Sequence, residues 1–386
     1  MNILLVGAAG FNLGDDAIAA TLATYLADRI GGAQITVTSL NAGRLARLGV
    51  KEVAVNRNSI RGWLQLARSI RDSDLVLLGG GTLIQDALGC GIVRGMIPYI
   101  WQVSLLAKIH RRPVATVPIG IDNLKGRRAI RLARGILRRA DLVLLRDQRS
   151  LDLAQRLLPR NRSRFILAAD PVFGVQLPTT LLPESEPYIV ISHVKERRDG
   201  TAVKNELRAL ITRVRSEWPS HKIVLLAMDT REVDELGVYR SVYQELGDDS
   251  IRIEAPADYR VAVRLIRGAK LVVAMRLHAM IMALGHVPLV GISRTTKTKT
   301  LIEDASIYGA DIQSMNPEEI VQLARRALAD EGRVRHQQGV ARAFADRFAL
   351  AMQELEKHCV SATYDRKGQP PFPQRSKTDR EGKGSL

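Results

Sequence analysis

Four loop segments of this chain gather the residue types that handle anions and protons. The richest is MRLHAMIMALGHVPLVGIS, Met275 to Ser293. An apolar run, KLVVA, ends just before it and a short apolar helix pattern follows, so Arg276 and His278 fall at a strand-to-helix junction. A helix N-terminus already offers unpaired N–H groups and partial positive charge. Adding a guanidinium and an imidazole there builds an anion site, and Leu277 between them sends both polar side chains to one side. Imidazole side chains ordinarily titrate at about 6.5, so a histidine at this place can also donate a proton.

The other three segments have the same setting. GAAGFNLGDDAI (Gly7–Ile18) places Asp15 and Asp16 at a helix start, where carboxylates either cap the helix or serve as a base. Its glycines, Gly7, Gly10 and Gly14, lack the spacing of a dinucleotide fingerprint. LLGGGTLIQD (Leu77–Asp86) sets Gly79, Gly80 and Gly81 after a buried strand, exposing backbone N–H groups to an anion or a sugar. VLLRDQRS (Val143–Ser150) puts Arg146 directly after a strand, able to fork onto a phosphate or carboxylate. Lys297, in ISRTTKTK, adds a further positive arm; His193 and Lys195 end a later strand and are expected to face the same cleft. His110 and His286 read as ordinary loop or surface positions.

Apolar runs alternate with helical patterns almost throughout the chain. Strands are expected at Ile3–Val6, Gln34–Thr38, Leu75–Leu78, Pro113–Val117, Leu142–Leu145 and Phe165–Ala168, with helices at Ala17–Arg29, Arg61–Arg71, Ile97–Ile109 and Arg127–Arg139. LPTTLLPESEP, residues 177–187, has three prolines and no periodicity and reads as a linker. The alternation restarts with strand Tyr188–Ser192, helix Val203–Trp218, strand Lys222–Ala227, helix Tyr259–Arg267 and strands Leu271–Ala274 and Leu289–Gly291. This is the pattern of an α/β protein with two doubly wound, parallel-sheet (Rossmann-like) domains, residues 1–176 and 188–332, and a cleft between them. A long helix over 333–360 closes the second half, and the Pro-, Lys- and Gly-rich stretch 361–386 reads as a disordered basic tail. Ligands of such sheets bind beyond the carboxyl ends of the strands, where all four segments lie.

Composition narrows the partners. The formal net charge is +17, and residues 1–170 hold 25 Lys and Arg against 12 Asp and Glu. Such a field attracts anions of any kind. In 125–139, KGRRAIRLARGILRR, Arg127, Arg131, Arg134 and Arg138 share one helix face opposite an apolar stripe, which suits either solvent or an anionic membrane surface. Only 4% of residues are aromatic and no nucleic-acid-binding motif is present, so nucleic acid is not expected. Two cysteines, Cys90 and Cys359, make neither a disulfide framework nor a metal site, and no metal is expected. No apolar run reaches membrane-spanning length and no signal pattern opens the chain, so it is expected in the cytoplasm, at most at the inner face of the membrane.

GFNLGDDAI, GGGTLIQD, LLRDQRS, ADPVF (Ala169–Phe173) and MRLHAMIMALGHVPLVGIS followed by Lys297, in this order, resemble the polysaccharide pyruvyl transferase family. The resemblance implies a GT-B-like fold and transfer of the pyruvyl group of phosphoenolpyruvate (PEP) to sugar hydroxyls as a ketal, in cell-surface polysaccharide synthesis. It implies PEP as donor substrate with no further cofactor, and a sugar or lipid-linked oligosaccharide as acceptor. Arg276 and His278 would bind the donor with Arg146 assisting; His278 is the candidate acid, and Asp15 or Asp16 the candidate base. The chain departs from the family pattern at Gly120-Ile121-Asp122-Asn123, at Arg294-Thr295-Thr296 and at Lys195. Asp122 is thus an alternative base, Arg294 an added donor charge, and Asp86, His193 and Lys195 auxiliary or acceptor-side residues. Two rival readings remain: a GT-B glycosyltransferase using a nucleotide sugar, with Glu232 or Asp234 toward a ribose, and an inactive, basic, polyanion-binding relative.

Overall fold

Runs such as Leu75–Leu78 and Leu142–Leu145 are buried at every position. A strand tolerates that only inside a sheet covered on both faces. The computed structural model describes residues 1–7, 9–10, 12–41, 43–86, 91, 95–122, 124–159, 164–174, 186–194, 200–229 and 235–367. Most of the expected linker, together with Lys195, Glu232, Asp234 and Cys90, lies outside the described residues.

The first half runs β1 (Asn2–Val6), α1 (Leu13–Arg29), β2 (Gln34–Ser39), β3 (Glu52–Ala54), α2 (Ile60–Asp72), β4 (Leu75–Leu78), β5 (Ile84–Gln85), α3 (Met96–Ile109), β6 (Val114–Thr116), β7 (Ile121–Asp122), α4 (Arg127–Arg139), β8 (Leu142–Leu145), α5 (Gln148–Leu157) and β9 (Arg164–Leu167). Its seven-stranded sheet has the order β3-β2-β1-β4-β6-β8-β9, with every pairing parallel. The small parallel pair β5–β7 ties the end of the triple-glycine loop to Asp122.

The second half runs β10 (Tyr188–Ser192), α6 (Gly200–Glu217), β11 (Lys222–Leu226), α7 (Gly237–Leu246), β12 (Ile251–Glu254), α8 (Tyr259–Gly268), β13 (Leu271–Ala274), α9 (Leu277–Ala283), β14 (Leu289–Ser293), α10 (Thr296–Asp304), β15 (Tyr308–Asp311), α11 (Pro317–Ala329) and α12 (Glu331–Lys367). Its sheet order is β12-β11-β10-β13-β14-β15, again parallel. Strand order reverses between β1 and β4 in one sheet and between β10 and β13 in the other. These are the positions where doubly wound sheets open a crevice.

The halves share a core. One apolar cluster runs from β1 and α1 through Ala168–Val172 to α8, α9 and the end of α12. The backbone also bridges them, since the Leu13 N–H donates to the Met228 carbonyl at 2.9 Å. Helix α12 returns to the first half, with the Phe344 and Phe173 rings 4.8 Å apart and Phe348 filling the space over Gly174. It begins before the expected start and continues to Lys367, so 361–367 is helical and not tail. Ser361 to Lys367 contains neither glycine nor proline, and the first helix breaker is Gly368. Among the described residues, no helix is long and apolar enough to cross a membrane.

Candidate active site

Helix α1 is capped by Asn12, whose side chain accepts from the Gly14 N–H at 2.9 Å. The two aspartates therefore sit in the first turn, not at the cap, and they part company. Asp16 is fully buried, accepting from the Gly10 N–H at 2.8 Å and from Arg44 Nε at 2.5 Å, so it braces the loop. Asp15 turns toward the triple glycine, where a Cβ on Gly81 would come within 3.1 Å of its Oδ1. Burial, with help from Asp170, raises the Asp15 pKa against the opposing charges of His278, Lys297 and Arg276. A carboxyl raised toward neutrality is the better proton acceptor.

The glycines themselves answer first to packing. A Cβ on Gly79 would strike Val117, and one on Gly7 would strike the Gly79 carbonyl. Gly80 and Gly81 have φ of 95° and 75°, which side chains rarely adopt.

Arg146 continues the face of β8 that carries Leu142 and Leu144, toward the shared core. It is 8% exposed and well held: Nη2 donates to Thr82 Oγ1 at 2.7 Å, and Nε and Nη1 lie 3.3 and 3.5 Å from Asp147 and Asp170. A Cβ on Gly120 would meet this guanidinium at 2.8 Å, so glycine there leaves it room.

Asp170 is the hub. Its Oδ1 accepts from the Val172 N–H at 3.1 Å, and its Oδ2 faces both Arg146 and His278 Nε2, the latter at 3.7 Å. Burial alone would raise its pKa, but His278, then Arg146 and the Val172 amide, hold the carboxyl down at about 2. His278 crosses from the second half, with its ring packed on Gly14 of α1 where a Cβ would collide. Its Nε2 is buried and hydrogen-bonds to no described residue. An imidazole is thus oriented by a neighbouring anion, with its Nε2 otherwise uncommitted.

Arg276 and His278 take different partners. Arg276 grips Glu235 through Nε and Nη2, with Asp229 4.0 Å away. Glu235 is wholly buried, and its Oε2 accepts from the Met228 and Asp229 N–H groups at 2.7 and 3.2 Å. Burial would lower the Arg276 pKa, but Glu235 more than offsets this and raises it. One fifth of the Arg276 side chain remains exposed, so it can still meet a ligand.

Lys297 stands at the first turn of α10. Burial and the charges of Arg146, Arg294 and Arg276, opposed by Asp15, lower its pKa to about 8. Arg146, Asp170 and Lys297 line a cleft of about 740 Å³, part of it open to solvent, whose apolar wall includes Ile281, Phe173 and Phe344. Asp304 and Arg347 complete its rim from α10 and α12.

The auxiliary residues divide. Asp122 lines the cleft but is paired with Arg149 at 3.2 Å. Burial lowers the Arg294 pKa, and the Arg294 N–H donates to Thr298 Oγ1 at 3.0 Å. Asp86 faces the start of α4, 3.5 Å from where a Gly126 Cβ would stand. His193 is not presented to the cleft as expected. Strand alternation puts it on the face of Ile189 and Ile191, where its ring is 1% exposed and 3.8 Å from Glu206 of α6.

Glu235 escaped the sequence reading because the sequence before it carries no periodic signal. Asp170 lies inside ADPVF, at the exit of a strand, and that position was the available clue.

The profile of the polysaccharide pyruvyl transferase family matches residues 12–295. The chain belongs to that family. It is therefore a member of a transferase family, and the segments meeting at Asp170 and His278 lie inside the matched region. Among curated proteins no relative matches it. Solved structures share its GT-B-like fold at low identity. The Staphylococcus aureus MnaA–UDP structure has a TM-score of 0.65 at 14% identity, covering 96% of this chain and 100% of that one. The Neisseria meningitidis UDP-GlcNAc 2-epimerase bound to UDP-GlcNAc gives 0.64 at 11% identity, with 92% and 100% covered. Anabaena Alr3699/HepE with UDP-glucose gives 0.61 at 14%, with 94% and 100% covered.

Proposed function

We propose that this pyruvyl transferase family member moves the enolpyruvyl group of PEP onto two hydroxyls of a sugar, forming a ketal and releasing phosphate for cell-surface polysaccharide synthesis. The observation that carries the reading is Lys297. Its pKa is lowered to about 8, first by burial and then by Arg146, Arg294 and Arg276, like charges that a polyanion between them would relieve. PEP brings a phosphate and a carboxylate to such a place.

The residues then take distinct roles. A protonated His278 delivers its Nε2 proton to the methylene carbon of PEP, making a methyl group and leaving the adjacent carbon electron-poor. A sugar oxygen attacks that carbon as Asp15 takes the hydroxyl proton. The C–O bond to phosphate breaks, with Arg146, Lys297 and Arg276 stabilising the charge that leaves. The second hydroxyl closes the ketal on the same carbon, and its proton leaves with the phosphate. One hydroxyl proton replaces the one spent on the methyl group, and the other appears on inorganic phosphate. Asp16, committed to Arg44 and Gly10, supports the loop and is not the base.

A second reading draws on the relatives that hold UDP or UDP-sugars: a nucleotide-sugar enzyme of the same architecture. Calorimetry with PEP and with UDP separates the two. PEP binding that Arg276→Ala abolishes, without UDP binding, is the expected result; UDP binding without PEP binding would replace the pyruvyl reading with the nucleotide-sugar one.

A further inference from the structure

The helical face of the first sheet formed by α2, α3 and α4 has no part in this chemistry, and its surface is unusual in two respects. Residues 57–140 contain fifteen lysines and arginines against four aspartates and no glutamate. Arg61 and Arg68 on α2, Lys108 on α3, and Arg127, Arg131 and Arg138 on α4 are all exposed. The same face also exposes large apolar side chains, with Ile60 81%, Leu64 55% and Ile109 63% accessible. These helices pack side by side on one apolar cluster, so the charges and the apolar side chains belong to one surface. The surface starts at the cleft, since Asp122 lines the cleft and α4 begins five residues later.

A soluble polyanion needs the arginines but gains nothing from Ile60, Leu64 or Ile109. A bilayer of anionic lipid uses both, headgroups meeting the guanidinium groups and the apolar side chains entering the acyl boundary. We propose that this face docks on an anionic membrane surface, with the cleft opening at its edge. The inference is independent of which group the enzyme transfers.

The test is flotation of the full chain with vesicles of phosphatidylcholine containing phosphatidylglycerol, against phosphatidylcholine alone. Binding to the anionic vesicles only, weakening with salt, is expected. Arg127→Gln, Arg131→Gln and Arg138→Gln together should weaken it by about fivefold for each charge removed. Ile60→Ser with Leu64→Ser should weaken it by about tenfold without lowering the melting temperature, because both side chains are already in water. Equal binding to neutral vesicles would overturn the proposal. So would apolar substitutions that leave vesicle binding unchanged, whether heparin then competes equally well (a general polyanion surface) or the substitutions alter the mass in solution (an interface between copies of the chain).

Discussion

Arg146 and Arg276 stand in similar settings in the two halves, each just beyond a fully buried strand, and each meets a buried carboxylate. The carboxylates differ. Asp170 is shared by Arg146 of its own half and His278 of the other, and its pKa is held down at about 2. Glu235 serves Arg276 within one half, and burial raises its pKa despite that partner and two amides. One carboxylate links the halves at His278; the other holds Arg276 within a single half. A strand-end arginine can thus be tied across the two halves or held within one, depending on what else its carboxylate touches.

Removing the proposed acid gives the largest expected effect. His278→Gln should cut turnover by roughly 100- to 10,000-fold, with PEP affinity changed much less, as single-turnover phosphate release would show. Unchanged turnover would remove His278 from the proton step. Next, Glu235→Ala strands the Arg276 guanidinium and should cost on the order of 3 kcal/mol in denaturant unfolding. Arg276→Met should cost less, because Glu235, with its pKa already raised, can take up a proton. If the order is reversed, Glu235 is not the support described.

Asp170→Asn should cost about 2 kcal/mol at neutral pH and remove a specific acid limb. The folded pKa is depressed, so this stability is present above the ordinary carboxylate value and is lost as pH falls through about 2. Acid unfolding of wild type and variant should converge there. Lys297→Met is expected to do the opposite at neutral pH, stabilising the fold by about 1–3 kcal/mol while weakening PEP binding. The sign follows from a lysine whose folded pKa lies below its unfolded value: stability rises with pH above about 8 in the wild type, and anion binding falls over the same range. Calorimetry at pH 7 and pH 9 checks the binding half of this.

Much of the architecture was legible before any coordinates. The LVLL runs, the apolar start of the chain and the long closing helix pattern each report a local period, and a local period is enough to place strands and helices. The short elements were not legible: β3, β5 and β7 are too brief for a pattern, β15 (YGAD) lacks an apolar run, and each forms because a neighbouring strand is there to pair with. Equal-looking residues were also inseparable. Asp15 and Asp16 are adjacent and chemically identical, and only Arg44 and the Gly10 amide decide which one is spent. His193 looked like a cleft residue until strand alternation turned it inward.

By itself, then, the sequence determined two parallel α/β halves, arginines and a histidine at strand exits, and the concentration of positive charge in the first half. Those follow from hydrophobic period, from residue type and from counting. Tertiary structure alone decided that Asp170 and His278 meet across the two halves, that Glu235 holds Arg276, and that Ile60 and Leu64 remain in water beside a basic helix. Each depends on contacts between residues far apart in the chain or on what covers a side chain, which no local pattern encodes.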